Sequence, residues 1–258
     1  MNLTFSISLV SHGHREYISR LLEELAHLQR ADFEVILTLN LPEELPGNLE
    51  ALPFNVNVLK NSAPQGFAAN HNAAFMVSRG ENFVILNPDI ELLNDPFDVL
   101  AALLSENPGS ICAPTVVDHA GILEDSARHF PTPVFLLKKL LSKLFKFRVP
   151  IDAVEARNDV LMPDWVAGMF MVVPRDIYIR LHGLNERYHM YYEDVDFCAR
   201  ARLAGYQILV SKRAKVIHEA QRDSHRKIGY LLWHLKSAFK FFTSTAYVRI
   251  QLRRMFGT

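Results

Sequence analysis

Residues 83–93 read FVILNPDIELL, and they place a carboxylate directly behind a stretch whose pattern predicts a buried strand. Four consecutive apolar residues are typical of a strand that is covered on both faces. They run into Asn87-Pro88-Asp89, and these residue types commonly form turns after strands. From the tripeptide alone, a plain turn and a site for a divalent cation at the strand tip both remain open.

The chain around this stretch alternates short apolar strands with helical patterns. The predicted strands are 5–10, 33–40, 55–60, 82–87, 110–117, 168–174 and 206–218, and the predicted helices are 15–29, 67–79 and 193–205. Such alternation is typical of an α/β fold with a mostly parallel central sheet flanked by helices. Ligands of open sheets of this kind bind beyond the carboxyl ends of the strands, where Asp89 is predicted to lie.

Composition narrows the classes of protein that this chain can represent. Its 258 residues carry 28 basic and 28 acidic side chains, so no net charge favours nucleic acid as a partner. The N-terminus lacks the features of a signal peptide, and no apolar run reaches the roughly 20 residues of a membrane-spanning helix. Cys112 and Cys198 are far apart and predict buried thiols in a reducing, cytoplasmic compartment.

A second candidate site lies in YYEDVDFCARARLAG, residues 191–205. Glu193, Asp194 and Asp196 crowd a predicted helix start, where the helix dipole favours acidic residues. Asp196 and Arg200 are four residues apart, which predicts an ordinary surface ion pair. Asp194 instead shares a helix face with apolar residues, and partial desolvation there would raise its pKa. Stabilisation of the helix start and general-base catalysis therefore both remain open for Asp194.

A third candidate site is KVIHEAQRDSHR, residues 215–226, in which His218 ends a predicted strand. Arg222 and Arg226 are one helical turn apart and would suit a diphosphate, because guanidinium groups bind phosphate oxygens bidentately. A structural histidine followed by solvated surface charge is the alternative interpretation.

The order of these segments resembles family 2 glycosyltransferases of the GT-A fold, in particular the bacterial rhamnosyltransferase-like enzymes of surface polysaccharide synthesis. The resemblance runs from the first strand to about residue 248. The six segments that carry it are QGFAANHNAAF, ILNPDIEL, DHAGILEDSARHFPTP, WVAGMFMVVPRD, GLNERYHMYYEDVDFCARARLAGY and HEAQRDSHR. The last one resembles a narrower subgroup, in which a helix similar to WHLKSAFKFF also follows. Six such motifs in the right order are far more specific than any one of them.

The resemblance implies a role for each candidate residue. Asp194 would be the general base of an inverting transfer to a hydroxyl of a glycan or lipid-linked acceptor. Asp89 would hold Mg²⁺ or Mn²⁺ against the diphosphate of a dTDP- or UDP-linked sugar, with His218 as a second metal contact. The residues that would bind this donor are Gly66, Phe67, Asn70, Asn87, Asp89, Arg128, Gly168, Glu193, Arg222 and Arg226.

Two positions depart from the family pattern. Relatives usually end the second strand in Asp-Asn, but this chain has Leu39 before Asn40, which puts recognition of the nucleotide there in doubt. Relatives often read Gly-Gly-Phe-Asp-Glu where this chain has HGLNE, so Asn185 replaces an acid and is not expected to be catalytic.

Basic residues cluster in two apolar segments and suggest a membrane surface as a partner. Residues 135–148 contain five basic residues and no acid, and from Arg222 onward eight Lys or Arg accompany Asp223 alone. Basic amphipathic helices of this kind lie on anionic membranes, which would place the protein at the inner face of the plasma membrane. Packing against the protein core or a second subunit is the alternative. One predicted helical face carries Lys139, Lys143 and Lys146, and another carries Leu137, Leu140, Leu141 and Leu144.

The predicted domains are a transferase domain at 1–224 and a basic amphipathic helical extension at 225–258, with a linker at 148–164. Two rival functions also remain. A nucleotidylyltransferase is disfavoured because the loop LVSHGHRE after the first strand has a single glycine. A non-catalytic relative that binds a nucleotide sugar, or acts as a scaffold, is left open by Leu39.

Overall fold

The computed structural model describes residues 3–145, 154–218 and 228–256. The strands are β1 (Phe5–Ser11), β2 (Phe33–Leu39), β3 (Asn55–Lys60), β4 (Asn82–Leu86), β5 (Ile90–Leu92), β6 (Ser110–Val117), β7 (Ala127–Arg128), β8 (Ala156–Arg157), β9 (Val160–Leu161), β10 (Trp165–Val166), β11 (Phe170–Pro174) and β12 (Gln207–His218). The helices are α1 (Arg15–His27), α2 (Phe67–Val77), α3 (Phe97–Glu106), α4 (Pro133–Phe145), α5 (Arg175–Arg180), α6 (Glu193–Leu203), α7 (Ile228–Phe242) and α8 (Thr245–Phe256).

A single large sheet has the order β3-β2-β1-β4-β11-β6-β12-β9-β8, and β5 pairs with β12 away from this path. The first four strands run parallel, as the alternation of strands and helices predicts. β6 and β12 are also parallel to each other. β11 lies between β4 and β6 and runs antiparallel to both, a reversal that the apolar pattern of residues 168–174 does not reveal.

Helices cover both faces of the sheet, and each face has its own apolar core. One core joins α1 and α3 to the sheet through buried residues such as Leu21, Leu25 and Phe97. The other core joins α2, α5 and α6 through residues such as Ala68 and Phe197. This layered arrangement confirms the predicted α/β class.

Asp196 corrects one sequence prediction, because its pair with Arg200 is buried rather than superficial. Asp196 is 2% exposed, and Arg200 Nε donates to its Oδ2 at 2.7 Å. Arg200 also donates to the carbonyl oxygens of Leu181 and Gly183. These two bonds anchor α6 to the turn that follows α5. Removing either partner of the buried pair would leave an uncompensated charge.

The C-terminal helices pack onto the core of the main domain. Ala238 and Phe241 of α7, with Ala246 and Ile250 of α8, are buried in the same core as α6. Arg254 of α8 forms an ion pair with Asp164. The boundary at 224 lies outside the described residues and stays a prediction.

Part of the predicted linker has regular structure. Residues 156–161 form the β8–β9 hairpin, which extends the large sheet through β9 and β12. Its strands have two residues each, too short to give a periodic pattern. Both cysteines are free and buried, as predicted.

Candidate active site

The end of β4 lies beside the start of β11, and this pairing builds the candidate site. Leu86 pairs with Phe170 in antiparallel register. Just beyond, the Asn87 N–H donates to the carbonyl oxygen of Met169 at 2.8 Å. The Asn-Pro-Asp tripeptide therefore lies at the same edge of the sheet as Gly168.

Asp194, the predicted general base, is held at this edge by backbone amides. The Gly168 N–H donates to Oδ2 at 3.0 Å, and the Val195 N–H donates to Oδ1 at 2.8 Å. Packing around this half-buried carboxylate raises the pKa of Asp194, and the hydrogen bonds oppose the shift only in part. The direction agrees with the sequence prediction and suits a group that accepts a proton.

Glu193 is a second buried carboxyl group next to the base. It is 6% exposed, and its Oε2 has no hydrogen-bond partner among the residues that the structure describes. Burial, and then the charge of Asp194, raises the pKa of Glu193 well above its ordinary value. Two neighbouring carboxyl groups with little solvent hold two negative charges poorly, so this pair favours binding a proton.

The backbone that leads into α6 is left-handed, with φ of 68° at Tyr191 and 71° at Tyr192. Aromatic residues adopt this strained conformation only where their surroundings hold it. The His234 ring of α7 lies 5.4 Å from the Tyr191 ring and 5.3 Å from the Tyr192 ring. Ser237 Oγ donates to the Met190 carbonyl oxygen at 2.9 Å. α7 thus supports the segment that presents the predicted base.

Gly66 and Gly168, both predicted on the donor side, allow close packing of backbone. A Cβ at Gly66 would lie 2.7 Å from the His189 carbonyl oxygen, a distance that side chains do not tolerate. A Cβ at Gly168 would lie 3.2 Å from Cζ of Phe67 and 3.6 Å from Cβ of Asp194. Phe67 and Asp194 therefore both lie close to Gly168. Contact of Gly66, Phe67 and Gly168 with a donor stays a prediction.

Asn70 has its amide committed within the protein. It is 2% exposed, its Oδ1 accepts from Asn61 Nδ2 at 2.7 Å, and its Nδ2 donates to the carbonyl oxygens of Gln65 and Gly66. These bonds hold the loop before α2, which gives Asn70 a supporting position. Contact between Asn70 and a donor stays a prediction.

Leu39 is 3% exposed and packs in the core. Its neighbour Asn40 accepts from Gln65 N–H and from Asn61 Nδ2, each at 2.8 Å. Asn40 Nδ2 also lies 3.0 Å from His12 Nδ1. The end of β2 is therefore linked to two loops, the one after β1 and the one between β3 and α2.

The predicted metal contacts, Asp89 and His218, are neighbours. His218 pairs with Ile90 in the antiparallel ladder of β12 and β5, and its Nε2 lies 3.4 Å from Asp89 Oδ2. Burial lowers the pKa of His218, but the carboxylates of Asp89 and Glu124 outweigh this effect and raise it to about 8. Asp89 Oδ1 is buried and has no hydrogen-bond partner among the described residues.

This pair fits a divalent ion whose remaining ligands come from elsewhere. Within residues 3–145, 154–218 and 228–256, no group of three or more His, Cys, Asp or Glu side chains is arranged to hold a metal. The unpartnered Asp89 oxygen and the His218 imidazole nitrogen are suitable donors, and Mg²⁺ commonly takes few protein ligands and completes its shell with phosphate and water. The donor set therefore matches a metal that arrives with a diphosphate.

Sequence reasoning missed Glu124 and His14. Glu124 Oε2 lies 2.7 Å from His218 Nδ1, although 94 residues separate the two in the chain. Burial lowers the pKa of His14, and the Asp89 charge acts in the opposite direction, which places His14 on the Asp89 side of the site. Glu124 lies within the motif DHAGILEDSARHFPTP, but nothing in that motif marks it as a partner of His218, and no local pattern marks His14. The pairing of distant strands brings Glu124 and His218 together.

Of the three arginines predicted to bind the donor, the structure describes Arg128. Arg128 lies in β7, pairs with Asp125, and has its guanidinium 5.6 Å from the centre of the Trp165 ring. Its charge opposes the raised pKa of Asp194, so it lies on the base side of the site. Arg222 and Arg226 lie outside the described residues, and their contact with a diphosphate stays a prediction.

Residues 6–157 match the family model described as Glycosyl transferase family 2. The chain belongs to glycosyl transferase family 2. Rhamnosyltransferase WbbL of Escherichia coli K12 is 28% identical over 247 residues, which cover 91% of each chain. The N-acetylglucosaminyl-diphospho-decaprenol L-rhamnosyltransferase of Mycobacterium tuberculosis H37Rv is 28% identical over 61% of this chain and 53% of that protein. This similarity to rhamnosyltransferases confirms the family resemblance and speaks against a nucleotidylyltransferase.

Solved structures of glycosyltransferases share the fold of this family 2 chain. Residues 1–349 of S. aureus TarS in complex with UDP-GlcNAc give a TM-score of 0.61 at 15% identity, covering 94% of this chain and 68% of that one. GalNAc-T7 with UDP, GalNAc and Mn²⁺ gives 0.59 at 17% identity, covering 84% and 44%. These matches confirm the GT-A fold that the motifs predict.

Proposed function

We propose that this family 2 protein is an inverting glycosyltransferase that moves a hexose, with rhamnose as the expected sugar, from a dTDP- or UDP-linked donor. The acceptor is a hydroxyl of a glycan or lipid-linked saccharide in cell-surface polysaccharide synthesis, such as O-antigen. The single observation that carries the proposal is the Asp194 carboxylate with its raised pKa, fixed by Gly168 N–H beside the Asn-Pro-Asp tripeptide. The rhamnosyltransferase relatives support the choice of sugar.

In this reaction Asp194 removes the proton of the acceptor hydroxyl as its oxygen bonds to the anomeric carbon. The bond from that carbon to the diphosphate oxygen breaks with its electron pair, so a nucleoside diphosphate leaves. Attack opposite the leaving group inverts the anomeric centre. The raised pKa of Asp194 brings it nearer to that of a group that works as a base at neutral pH.

Asp89 and His218 would hold Mg²⁺ or Mn²⁺, which neutralises charge that develops on the leaving diphosphate. Mn²⁺ complexes of GalNAc-T7 and of a Pyrobaculum calidifontis mannosyltransferase support a divalent ion in this fold. Gly66, Phe67 and Gly168 would shape the sugar pocket. Asn87, Glu193 and Arg128 are polar groups that would contact the donor.

The proposed location is the inner face of an anionic membrane, with the C-terminal helices as the contact. α7 buries Ser237, Ala238 and Phe241 but exposes an apolar stripe of Leu232, Leu235 and Phe239, whose exposed fractions are 59%, 37% and 70%. From 228 to 256 the sequence has no Asp or Glu. No helix in the described parts of the chain is long and apolar enough to cross a bilayer.

Flotation with vesicles tests this location. Full-length protein is expected to float with vesicles that contain anionic lipid and not with neutral ones, because apolar and basic side chains act together. A Leu232→Ser/Phe239→Ser variant should lose binding, while Met76→Ser, which changes an apolar residue that is 81% exposed on α2, should keep it. Equal loss in both variants, or binding that ignores lipid charge, contradicts the proposed contact.

A binding screen tests the activity class without a known acceptor. Melting temperatures are measured with dTDP, UDP, GDP and CMP, each with and without Mn²⁺. A nucleotide at a hundred times its dissociation constant stabilises the fold by about 2.7 kcal/mol. A rise that one nucleotide produces only with Mn²⁺ supports the donor and the metal together. If every nucleotide leaves the melting temperature unchanged, the donor site proposed here is wrong and a scaffold role is favoured.

A further inference from the structure

The side chain of Glu124 reaches the far nitrogen of a predicted metal contact. Its Oε2 lies 2.7 Å from His218 Nδ1, while His218 Nε2 lies 3.4 Å from Asp89 Oδ2. All three side chains are mostly buried, with exposed fractions of 23% for Glu124, 14% for His218 and 18% for Asp89. The imidazole is therefore held between two carboxylates, one at each nitrogen.

A tight turn after β6 brings Glu124 to this position. The Asp118 carboxylate accepts from the N–H groups of Ala120 and Ile122, and Gly121 has a φ of +76°. The chain then returns, and the Glu124 N–H donates to the Val116 carbonyl oxygen at 2.9 Å. Val116 is level with Val216 of β12, so Glu124 arrives two residues from the end of that strand.

Glu124 and Asp89 compete for the single proton of the neutral His218 ring, and the contact with Glu124 is the shorter one, 2.7 Å against 3.4 Å. A carboxylate has no hydrogen to donate, so Nδ1 must be the donor in the bond to Glu124. In the neutral imidazole the lone pair is then on Nε2, the nitrogen that faces Asp89. Carboxylates and carbonyls that hold the second nitrogen of a ligating histidine fix its tautomer and orientation in the same way.

We propose that Glu124 is a positioning residue, which holds His218 in the Nδ1–H form with Nε2 directed at the Asp89 side of the site. The proposal rests on the proposed function for the use of that nitrogen toward a divalent ion. The orientation itself follows from the contacts of Glu124 and does not need the transferase activity.

Nuclear magnetic resonance of ¹⁵N-labelled full-length protein tests the orientation. Spectra are recorded at about pH 10, roughly two units above the pKa of His218, so that the ring is neutral. His218→Gln identifies the signal. The wild-type ring is expected in the Nδ1–H form, and Glu124→Ala is expected to shift it toward Nε2–H. An Nε2–H ring in the wild type, or a spectrum that Glu124→Ala leaves unchanged, overturns the proposal.

Mn²⁺ binding in the presence of UDP or dTDP, followed by electron paramagnetic resonance, gives a second readout. Glu124→Ala should weaken Mn²⁺ binding by about 10- to 100-fold, the usual effect of removing a partner that orients a metal ligand. Glu124→Gln should restore most of the affinity, because the amide oxygen still accepts from Nδ1–H. Glu155→Ala, at a glutamate that is 61% exposed, is the control and should change nothing.

The two measurements separate the proposals. If wild-type protein binds no Mn²⁺ with either nucleotide but the tautomer shifts as expected, the positioning by Glu124 holds and the proposed metal role fails. If Mn²⁺ binds and Glu124→Ala changes neither the affinity nor the tautomer, Glu124 has no positioning role and the metal site stands.

Discussion

The Asp89 side and the Asp194 side of the site differ in how their ionisable groups are paired. On one side, Asp89, His218 and Glu124 alternate acid, base and acid, and the carboxylates raise the pKa of the histidine to about 8. On the other side, Glu193 and Asp194 are acids side by side with little solvent, and burial raises the pKa of both. The first arrangement stabilises charge, and the second favours binding a proton.

This contrast predicts that the Asp89 side binds the donor and that the Asp194 side accepts the proton, although both lie at one edge of the sheet. An ion that binds beside Asp89 meets charged side chains that are already paired with one another. Its binding therefore leaves no isolated charge buried in the protein. A proton that reaches Asp194 relieves repulsion that already exists there. Substitutions on the two sides should therefore affect different measurements.

The largest effect is expected for Asp194→Asn. The amide cannot accept the acceptor proton, so the transfer rate should fall by about 10³-fold, within the usual range for loss of a general base. Binding of nucleotide with Mn²⁺ should stay within about two-fold, because Asp194 itself is not a proposed contact of the diphosphate. Transfer is followed by release of nucleoside diphosphate, and binding by calorimetry. Transfer at the wild-type rate rules out Asp194 as the base.

The next effect is expected for Asp89→Ala, which should abolish the Mn²⁺-dependent part of nucleotide binding. At nucleotide concentrations that stabilise the wild type by about 2.7 kcal/mol, this variant should show no Mn²⁺-dependent rise in melting temperature. Its melting temperature without ligands should stay close to that of the wild type. A full Mn²⁺ response in Asp89→Ala moves the metal away from this residue.

A third histidine sharpens the comparison, because burial is the cause of the pKa shift of His71 and no carboxylate of the described residues contributes. Burial lowers the pKa of His71 to about 3, while Ser8 Oγ lies 2.8 Å from its Nδ1. Its unfolded-state pKa is about 6.5, so protons bind preferentially to the unfolded chain between these values. Stability is therefore lost as pH falls below about 6.5, by about 2 kcal/mol at pH 5.

Chemical unfolding of the wild type and His71→Leu at pH 7.5 and pH 5 measures this contribution. The loss of unfolding free energy on acidification should be smaller in the variant by about 2 kcal/mol. Equal losses in the two proteins mean that His71 keeps an ordinary pKa in the folded state.

The smallest effect is expected for Glu193→Gln, measured as stability rather than activity. The folded-state pKa of Glu193 lies above the unfolded one, so its contribution to stability is present at low pH and is lost as pH rises through the folded-state value. The neutral variant should gain about 1 kcal/mol over the wild type at pH 8, because an amide still leaves polar atoms buried. The gain should vanish at pH 4. A gain that is the same at both values contradicts the raised pKa.

Sequence reasoning succeeded where chemistry is local to a segment. The strand before Asp89 and the apolar neighbours of Asp194 were sufficient to predict a carboxylate at a strand end and a raised pKa. The burial of the pair between Asp196 and Arg200 was mispredicted, because the spacing i, i+4 says nothing about what covers the helix.

The parts that could not be predicted depend on strand pairing. Glu124 meets His218 because β6 and β12 are parallel and a turn folds back beside them, and no pattern near either residue encodes that register. The direction of β11 was equally hidden, since a fully buried strand reads the same in both directions.

The position of β11 also predicts which part of the sheet folds last. A chain that has emerged only as far as β6 has two neighbouring strands, β4 and β6, without the partner that later joins them. Strand edges without a partner invite association with other chains, and closing such a long-range contact slows folding. We expect the β4–β11–β6 region to be protected late in refolding, which pulsed hydrogen exchange would record, and the sheet edge that carries the proposed site to form only in that last step.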